Sequence, residues 1–361
     1  MEVNPKRSGH RATIKGIAAE LGVSASTVSN AYNRPDQLSP ALRERVFETA
    51  RRLGYGGPDP AARSLRSRRA GAIGVLYADR LSYAFADPAA VMFMQGVSVA
   101  TEEAGLGMLL VPGSPRQARD PEVVGSAVVD GFIVYCLAEE DPLSNAALGR
   151  RLPTVLVDQP PQKGLPAVGI DDEGSARTVA EHFLGLGHTK FGVISFELAP
   201  DVRSGLADQK RQRSATYWPS RRRLGGYASA LEEAGIAWED VPVYECAENH
   251  PEEGRQATET LLALEQRPTA ILALSDQLAL GAIKAITQKG LSVPKDISVA
   301  GFDDIPEAAR SNPRLTTVRQ PHVEKGIKAG RMLIDQLQGD DAPRSKVLPS
   351  RLVVRGSTGP A

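Results

Sequence analysis

Residues 13–33, TIKGIAAELGVSASTVSNAYN, have the pattern of two short helices joined by a glycine turn. Thr13 and Ser24 are of the residue types that cap helix N-termini, and Gly22 permits a tight turn between the helices. Apolar residues recur every three or four positions, which is the spacing of a buried helix face. They are Ile14, Ile17, Ala18 and Leu21, then Val28, Ala31 and Tyr32. This layout is that of a helix-turn-helix.

The second helix carries small, mostly polar side chains on the face that packing does not use. They are Ala25, Ser26, Thr27, Ser29, Asn30 and Asn33. Small side chains let a helix enter the major groove of DNA, where Ser, Thr and Asn reach base edges and phosphate oxygens. We therefore predict DNA contacts from this face and from the two caps, Thr13 and Ser24. The alternative is a solvated three-helix bundle in which these hydroxyls have no function.

A third helix is predicted after the helix-turn-helix, which would complete a small all-α domain. Ser39 is its cap, Pro40 occupies its first position, and Gly54 ends it. Its predicted inward-facing residues are Leu42, Val46, Ala50 and Leu53.

Charge separates the N-terminal segment from the rest of the chain. The 361 residues have no net formal charge, yet residues 1–70 carry thirteen Lys or Arg and six Asp or Glu, which gives them +7 and leaves −7 on the remainder. A basic segment on a mildly acidic body is typical of binding to nucleic acid or to a membrane surface. The N-terminus lacks the apolar segment of a signal peptide, and no apolar run approaches the ~18 residues of a membrane span. We therefore expect a cytoplasmic protein that does not bind a membrane.

From residue 71 onward, short β-rich runs alternate with amphipathic helical stretches. The runs are AIGVLY, GMLLV, GFIVYCL and TVLVD, then FGVIS, VPVYE, AILALS and ISVAGF. Such alternation predicts parallel sheets covered by helices, and the two sets of runs predict two similar α/β lobes that divide near residue 170. Ligands of these folds bind beyond the carboxyl ends of the strands, so a cleft between the lobes is the expected small-molecule site.

Polar residues at the predicted strand ends are candidate ligand contacts. Asp158 ends TVLVD, Ser275 follows AILAL, and Asp303 ends VAGFD, while Arg223 begins the helix RRRLGGYASALEEAG. An Arg beside carboxylates suits a polyhydroxylated ligand, because the guanidinium donates bidentately and the carboxylates accept from hydroxyls. The alternatives are ordinary ones, since strand-end carboxylates often cap the next helix and Arg223 belongs to a basic run that water can solvate.

Two aromatic residues after the first strand, Tyr83 and Phe85, are candidates to stack on a sugar ring or a base; alternatively, they belong to the core. Motifs of other functional classes are missing from the sequence, which has no GxGxxG, no Walker loop, no HExxH and no zinc-type cluster of Cys and His. We therefore predict no enzymatic activity, no cofactor and no metal.

The segment ATIKGIAAELGVSASTVSNAYNRPDQLSPALRERVFETARRLGY resembles the headpiece of the lactose-repressor/galactose-repressor (LacI/GalR) family of transcription factors. PDPAARSLRSRRAGAIGVL is similar to the family's hinge and first effector-domain strand. The similarity continues in the family's order through HFLGLGH, PTAILALSDQLALGAIKAI, VPKDISVAGFDDIPEA and VLPSRLVVRGST, and so covers essentially the whole chain.

The resemblance implies a domain order. It gives a helix-turn-helix headpiece at 11–57, a hinge helix and linker at 58–70, and an effector-binding domain at 71–361. That domain would have the periplasmic-binding-protein type I fold, with three crossings between its lobes near residues 170, 319 and 351. The implied N-lobe is about 71–170 plus 320–350, and the implied C-lobe is about 171–318 plus 351–361.

The resemblance also implies roles for single residues. In the hinge, Leu65 would be an apolar wedge in the minor groove, Ala62 would let two hinge helices approach, and Arg63 would meet phosphate. In the body, the family favours Arg223, Asp303, Asp158 and Ser275 as cleft residues, and it places Gln320 near the crossover as a further candidate effector contact.

Several features of the sequence depart from the family pattern. Asn30 replaces a frequent Arg, Ser275 replaces Asn or Asp, His322 stands where some members carry an aromatic, and the connection 197–222 is unusually long and charged. Effector identity therefore does not follow from the resemblance.

We predict a ligand-responsive transcriptional regulator, a repressor that binds a pseudo-palindromic operator of double-stranded DNA. No leucine heptad follows SRLVVRGST, so a homodimer is expected and not a tetramer held by a C-terminal bundle. The effector would be a sugar, a nucleoside or a related metabolite in the cleft. The alternatives are a solute-binding transport component and an enzyme on an α/β scaffold.

Overall fold

The computed structural model describes residues 12–57, 69–77, 80–113, 120–340 and 344–361. They belong to two compact units, which divide between Ala70 and Gly71. The hinge residues Ala62, Arg63 and Leu65, for which the sequence predicts DNA contacts, lie outside the described residues.

The N-terminal unit is all-α, as predicted. Its helices are α1 (Ile14–Leu21), α2 (Ala25–Asn33) and α3 (Pro40–Arg52), with a 3₁₀ turn at Pro35–Gln37. Each helix begins at a hydroxyl cap, because the side chains of Thr13, Ser24 and Ser39 accept from the amides of Gly16, Thr27 and Leu42. Capping of this kind contributes ~1 kcal/mol per helix.

The core of this unit is small and lies between the three helices. Its fully buried apolar residues are Ile17, Ala18, Val28, Ala31, Val46 and Ala50. The prediction for Leu53 is wrong, since this residue caps the end of α3 with 38% of its surface exposed, while Thr49 is buried. Leu53 follows the last helical residue, so the helix period no longer governs the direction of its side chain.

The second unit contains two β-sheets. The first is formed by β1 (Ala72–Tyr77), β2 (Gly107–Pro112), β3 (Phe132–Tyr135), β4 (Thr154–Val157), β5 (Ala167–Ile170) and the late strand β12 (Lys346–Leu348). Their order is β12-β5-β4-β3-β1-β2, and every pair is parallel.

The second sheet has mixed edges. It is formed by β6 (Phe191–Ser195), β7 (Gly205–Leu206), β8 (Val243–Glu245), β9 (Ala270–Ala273), β10 (Ser298–Asp303), β11 (Thr316–Arg319) and β13 (Arg351–Val353). Their order is β13-β11-β10-β9-β6-β8-β7. The central strands are parallel, whereas the edge strands β7 and β13 are antiparallel to their neighbours. The predicted α/β class with parallel sheets is confirmed, except at these two edges.

Helices cover both sheets. They are α4 (Leu81–Ala84), α5 (Pro88–Ala104), α6 (Pro121–Ser126), α7 (Pro142–Gly149), α8 (Asp172–Gly185), α9 (Gln209–Arg213), α10 (Trp218–Glu233), α11 (Pro251–Leu262), α12 (Asp276–Gln288) and α13 (His322–Gln338), with a 3₁₀ turn at Trp238–Asp240. In the described part of the chain, each helix is too short or too polar to cross a membrane.

The chain passes between the two sheets three times. The first passage follows β5, where α8 begins at Asp172. The second follows β11, where α13 begins at His322. The third lies between Leu348, which ends β12, and Arg351, which begins β13. Each sheet with its helices forms one lobe.

Glycine brings α5 and α13 into direct backbone contact in the first lobe. A Cβ added at Gly96 would lie 2.0 Å from the carbonyl oxygen of Val323, and one added at Gly326 would lie 2.1 Å from that of Phe93. Because the glycines face each other, the two helices cross with their backbones touching.

We expect Gly326→Ala to destabilise the protein, because the added methyl group overlaps backbone that cannot move aside. Overpacking of this kind costs about 1–3 kcal/mol or more. Thermal unfolding by circular dichroism measures the effect as a lowered Tm. Gly125→Ala is the matched control, since nothing lies within 4 Å of the added Cβ there. Equal Tm values for both variants would contradict the close contact.

Candidate functional site

A cavity lies between the two lobes, where the carboxyl ends of strands from both sheets meet. It contains about 810 Å³ of empty space, including its open mouth. Its lining residues are Tyr77, Tyr83, Asp87, Ala89, Tyr135, Cys136, Asp158, Phe196, Glu197, Tyr217, Pro219, Arg223, Asn249, Asp303, Gln320 and His322. Strands place many of them, since Tyr77, Tyr135 and Asp303 are the last residues of β1, β3 and β10.

Five of the seven residues that the sequence predicts as effector contacts line this cavity. They are Tyr83, Asp158, Arg223, Asp303 and Gln320. Phe85 is not among the lining residues, because it follows the short helix α4 with its side chain turned to solvent and 67% exposed.

Ser275 is also absent from the cavity wall and acts as a helix cap. Its hydroxyl accepts from the Leu278 amide at the start of α12 and donates to the side-chain oxygen of Asn249. Asn249 does line the cavity. Ser275 therefore orients a lining residue and does not face the cavity itself.

A buried chain of polar groups connects the lobes beneath the cavity. Lys325 is 0% exposed, and its ammonium donates to both carboxylate oxygens of Asp158, at 2.9 and 2.8 Å, and to the amide oxygen of Gln320 at 2.9 Å. The amide nitrogen of Gln320 in turn donates to Asp303 Oδ1 at 2.7 Å. Asp158 follows β4 in the first sheet and Asp303 ends β10 in the second, so the chain spans both lobes.

Arg223 is held by a second buried set of contacts. Its Nε donates to Asp172 Oδ1 at 2.8 Å, and its Nη1 donates to the carbonyl oxygen of Leu274 at 2.6 Å. The guanidinium lies 3.8 Å from the centre of the Phe302 ring, and Nη1 lies 3.9 Å from Asp303 Oδ1. These contacts fix the guanidinium before any ligand binds.

Open polar atoms remain on two of these residues. Arg223 Nη2 and Asp303 Oδ2 make no hydrogen bond within the described structure, and neither atom is sealed from solvent. Arg223 and Asp303 therefore offer a donor and an acceptor side by side, which is the arrangement that binds a hydroxyl group.

Burial sets the protonation of two lining residues. It raises the pKa of Asp303 to about 7, although the Arg223 charge opposes this rise. Burial, together with the positive charges of Lys325 and Arg223, holds the pKa of His322 well below its usual value, so its ring is neutral. The ring nitrogens of His322 have no hydrogen-bond partner among the described residues.

The connection 197–222 borders the cavity and has its own internal framework. It supplies Glu197, Tyr217 and Pro219 to the wall. Arg211 of α9 holds it in place through pairs of hydrogen bonds, at 2.6 and 2.8 Å, to the carboxylates of Asp201 and Glu245. The unusually long connection 197–222 therefore forms defined structure beside the cavity.

Contacts at the mouth join the lobes around the cavity. Tyr83 donates its hydroxyl to the Asn249 carbonyl oxygen at 2.7 Å. On the side of the long connection, the backbone amide of Glu139 donates to the Thr216 carbonyl oxygen at 2.8 Å, and its carboxylate accepts from Arg221 at 2.9 Å. The structure therefore shows the lobes in contact across the mouth.

The predicted DNA-binding face lies on α2 in the N-terminal unit. Ser24, Ala25, Ser26 and Asn33 are exposed there, and so is the α1 cap Thr13. The other predicted residues, Thr27, Ser29 and Asn30, are half-buried.

Side-chain contacts order this face. The Ser24 hydroxyl lies 2.6 Å from that of Ser26, and Asn33 donates to the Ser29 carbonyl oxygen at 3.0 Å. Asn30 donates to the Gln37 side chain at 3.3 Å.

Several important residues were not predicted from the sequence. Lys325 and His322 lie on the buried face of α13. A lysine on the apolar face of an amphipathic helix is rarely buried without a partner of opposite charge, so this position of Lys325 is the sequence signal that could have indicated a buried ion pair. Asn249 and Glu197 lie between regular elements, where no periodic pattern marks a lining residue. The described residues contain no group of His, Cys, Asp and Glu that could hold a metal ion.

Comparison with known proteins gives matches over both units. Residues 13–57 match the family model of bacterial regulatory proteins of the lacI family, and residues 180–358 match the periplasmic binding protein-like domain. An HTH-type transcriptional regulator of Mycobacterium tuberculosis is 45% identical, over 100% of this chain and 99% of that protein. The HTH-type transcriptional repressor CytR of Escherichia coli is 30% identical, over 98% of each chain.

Solved structures match over nearly the full chain as well. The Lac repressor dimer bound to operator and the anti-inducer ONPF aligns with a TM-score of 0.80 at 25% identity, covering 97% of this chain and 99% of that one. A complex of the transcriptional regulator CelR with cellobiose aligns with a TM-score of 0.70 at 29% identity, covering 96% of this chain and 100% of that one.

We expect Asp303→Asn to stabilise the protein increasingly as the pH rises from about 4 to 7. In this range the carboxyl ionises in the unfolded chain near its ordinary pKa of ~4, whereas the folded protein, in which burial raises its pKa to about 7, keeps it protonated. The wild type therefore loses stability until pH 7 is passed, and the neutral amide does not. The Tm of the variant should exceed that of the wild type by several degrees at pH 8.

Thermal unfolding at pH 5, 6, 7 and 8 measures this difference. Asp335→Asn is the control, because Asp335 is exposed on α13. A difference in Tm between the Asp303 variant and the wild type that stays constant across this range would rule out the raised pKa.

Proposed function

The chain belongs to the LacI family of DNA-binding transcriptional regulators, and from that premise we propose that it is a ligand-responsive repressor acting as a homodimer on a pseudo-palindromic operator. Members of this family are regulators and not enzymes, in agreement with the prediction from the sequence. The observation that carries the proposal is an interlobe cavity with a fixed Arg223 and Asp303 in the same chain as a helix-turn-helix.

Helix α2 would read each half-site in the major groove. Its exposed Ala25, Ser26 and Asn33 are short enough to let the helix backbone approach the bases. The caps Thr13 and Ser24 would contact phosphate oxygens. The hinge residues Ala62, Arg63 and Leu65 would act at the operator centre, as the family resemblance implies.

The effector would occupy the interlobe cavity. Its position between the lobes, at the carboxyl ends of the strands, is typical of a small-molecule site. The open donor of Arg223 and the open acceptor of Asp303 favour hydroxyl groups. The structure of CelR with cellobiose supports a sugar-like effector by analogy.

Repressor action and the dimer are proposed by analogy with relatives. CytR is named a repressor, and the Lac repressor was solved as a dimer on its operator. Effector binding would then alter the packing of the lobes across the dimer and so the affinity for DNA. This requires the ligand to bind one state of the dimer better than the other. The target of such a regulator is in the cytoplasm, where we place the protein.

We expect the full chain to select a pseudo-palindromic site from a randomised duplex library. Fluorescence anisotropy from about 50 to 200 mM salt should show the selected site bound at least ~10³-fold more tightly than a scrambled duplex, with a steep salt dependence. A single half-site should bind much more weakly, because only one headpiece of the dimer can engage it.

We expect Ser26→Asp to weaken binding to the selected duplex, because it places a negative charge on the exposed face of α2. Ser126→Asp adds the same charge on α6 of the other unit and is the control. Equal binding of selected and scrambled duplexes by the wild type would refute the proposal.

We also expect Asn30→Arg to change the preferred base at one position of each half-site. Asn favours adenine and Arg favours guanine, because each forms a bidentate pair with that base. Selection from the same library measures the change, and Asn33→Arg, one turn further along α2, should affect a different position. An unchanged base preference in the Asn30 variant would show that this residue does not read the operator.

A further inference from the structure

The two ends of the connection 197–222 are held together. The carbonyl oxygen of Leu198 accepts from the Thr216 amide at 2.7 Å, and the Ser220 hydroxyl donates to the Glu197 carbonyl oxygen at 2.8 Å. Leu198 and Ser220 are fully buried. Surface loops whose ends lie close together are packed by their own side chains and are frequently functional. The connection is therefore a closed loop of the second lobe.

Arg211 of α9 organises this loop. Its guanidinium donates to both carboxylate oxygens of Glu245, at 2.8 and 2.6 Å, and to both of Asp201, at 2.8 and 2.6 Å. Glu245 ends β8, is 1% exposed, and also accepts from the Leu198 amide at 2.9 Å. Arg211 therefore joins the middle of the connection to its start and to the second sheet. The planar guanidinium suits two such bidentate pairs, which a lysine cannot form.

The connection contacts the first lobe at Glu139. The backbone amide of Glu139 donates to the Thr216 carbonyl oxygen at 2.8 Å, and its carboxylate accepts from Arg221 at 2.9 Å. Tyr217 and Pro219, which lie between Thr216 and Arg221 in the chain, line the cavity. One short segment therefore forms both a part of the cavity wall and the contact between the lobes.

The contact with Glu139 is the weaker of the two attachments of this loop. The side chains of Arg221 and Glu139 are 38% and 44% exposed, and ion pairs so exposed contribute little because water and salt screen them. Arg211 is 12% exposed and Glu245 only 1%, so separating them would leave a buried charge without its partner. We therefore expect the connection to separate from Glu139 while it stays attached to its own lobe.

We propose that the connection 197–222 closes one side of the cavity mouth against Glu139, with Arg211 as its positioning residue, and that opening of this contact sets the rate at which an effector enters and leaves. Among the described residues, Arg211 is not one of those that line the cavity. It acts by holding Thr216 and Arg221 where they meet Glu139. This inference rests on the proposed function, because it concerns the effector of the same cavity.

Cys136 allows this opening to be measured without knowledge of the effector. It lines the cavity three residues before Glu139, and burial raises the pKa of its thiol, so the reactive thiolate forms mainly when water reaches it. The other cysteine of the chain, Cys246, is fully buried directly after Glu245. Methyl methanethiosulfonate labels accessible thiols, and mass spectrometry of peptides from the labelled full chain gives the rate at each cysteine.

Arg211→Lys tests the positioning residue. Lysine keeps a positive charge beside the buried Glu245 but loses the two bidentate pairs, so Cys136 should be labelled about tenfold faster than in the wild type. Labelling of Cys246 should stay unchanged, because the second sheet remains folded. An unchanged rate at Cys136 overturns the proposal. Equal acceleration at both cysteines overturns it too, since that result means a loosened second sheet.

Arg255→Lys is the matched control for this variant. Arg255 also pairs with two carboxylates, those of Glu252 and Glu259 on α11, and it is not a lining residue of the described wall. Both labelling rates should equal those of the wild type. Faster labelling of Cys136 in this control would show that any lost arginine pair opens the cavity, which contradicts the role of Arg211.

Glu139→Ala tests the same closure from the first lobe. It removes the ion pair with Arg221 at an exposed position and should accelerate labelling of Cys136 about threefold, as expected for a weak pair. Glu140→Ala removes the neighbouring exposed carboxylate and should leave the rate unchanged. Equal rates in these two variants would refute closure at Glu139.

Operator binding by the same proteins separates this inference from the proposed function. Sequence-specific binding by the wild type, together with unchanged labelling in the variants, overturns the closure and leaves the regulator intact. Loss of sequence-specific binding in the wild type overturns the regulator, whereas faster labelling of Cys136 would still demonstrate the opening of the connection.

Discussion

The interlobe site depends on the interactions of one buried charge, the ammonium group of Lys325. A charge that is removed from water is stable only when other groups pair with it, and here the Asp158 carboxylate and the Gln320 amide oxygen accept its hydrogen bonds. Removing one member of such a pair costs about 3–5 kcal/mol, because the other charge is left buried and unpaired. These hydrogen bonds connect the end of β4 to the second passage of the chain between the lobes. Through Gln320 they also connect it to Asp303 in the other lobe. Binding in the cavity therefore occurs on a wall whose charges are already fixed.

Fixed charges explain how the same site can be both stable and selective. Asp172 and a carbonyl oxygen orient the Arg223 guanidinium, and the ring of Phe302 supports it from one face. A ligand then loses little free energy to ordering protein side chains. Burial holds the Asp303 side chain in place and also raises its pKa to about 7. At neutral pH this lowers the stability of the folded protein, but it leaves a carboxyl group already oriented to accept a hydrogen bond from a ligand.

Much of the fold could be predicted because local rules and tertiary packing agree. The hydroxyl caps at Thr13, Ser24 and Ser39 and the helical spacing of apolar residues place the three headpiece helices close to their observed bounds. The eight β-rich runs of the body all contain strands, because most of these strands are buried on both faces and are therefore continuously apolar. The edge strand β7 has only two residues and β13 only three, which is too short for a recognisable pattern.

The site was predicted in part, for a related reason. Strand ends point to Asp158 and Asp303 because parallel strands present their carboxyl ends at one edge. The same rule selects Ser275, yet a serine at that position can also cap the following helix, and the structure shows that it does. Phe85 was predicted from its residue type alone, without a constraint on its direction. Partners distant in sequence, such as Asp158 and Lys325, meet only through the tertiary fold.

Helix α13 connects these features mechanically. Its first turn holds His322 and Lys325 at the cavity, and its 17 residues extend about 25 Å away from it. At Gly326 its backbone rests on that of α5, with no compressible side chain between them. We therefore expect a displacement of α13 beside a bound ligand to carry α5 with it, because the two backbones are in contact and leave no side chain that could repack between them.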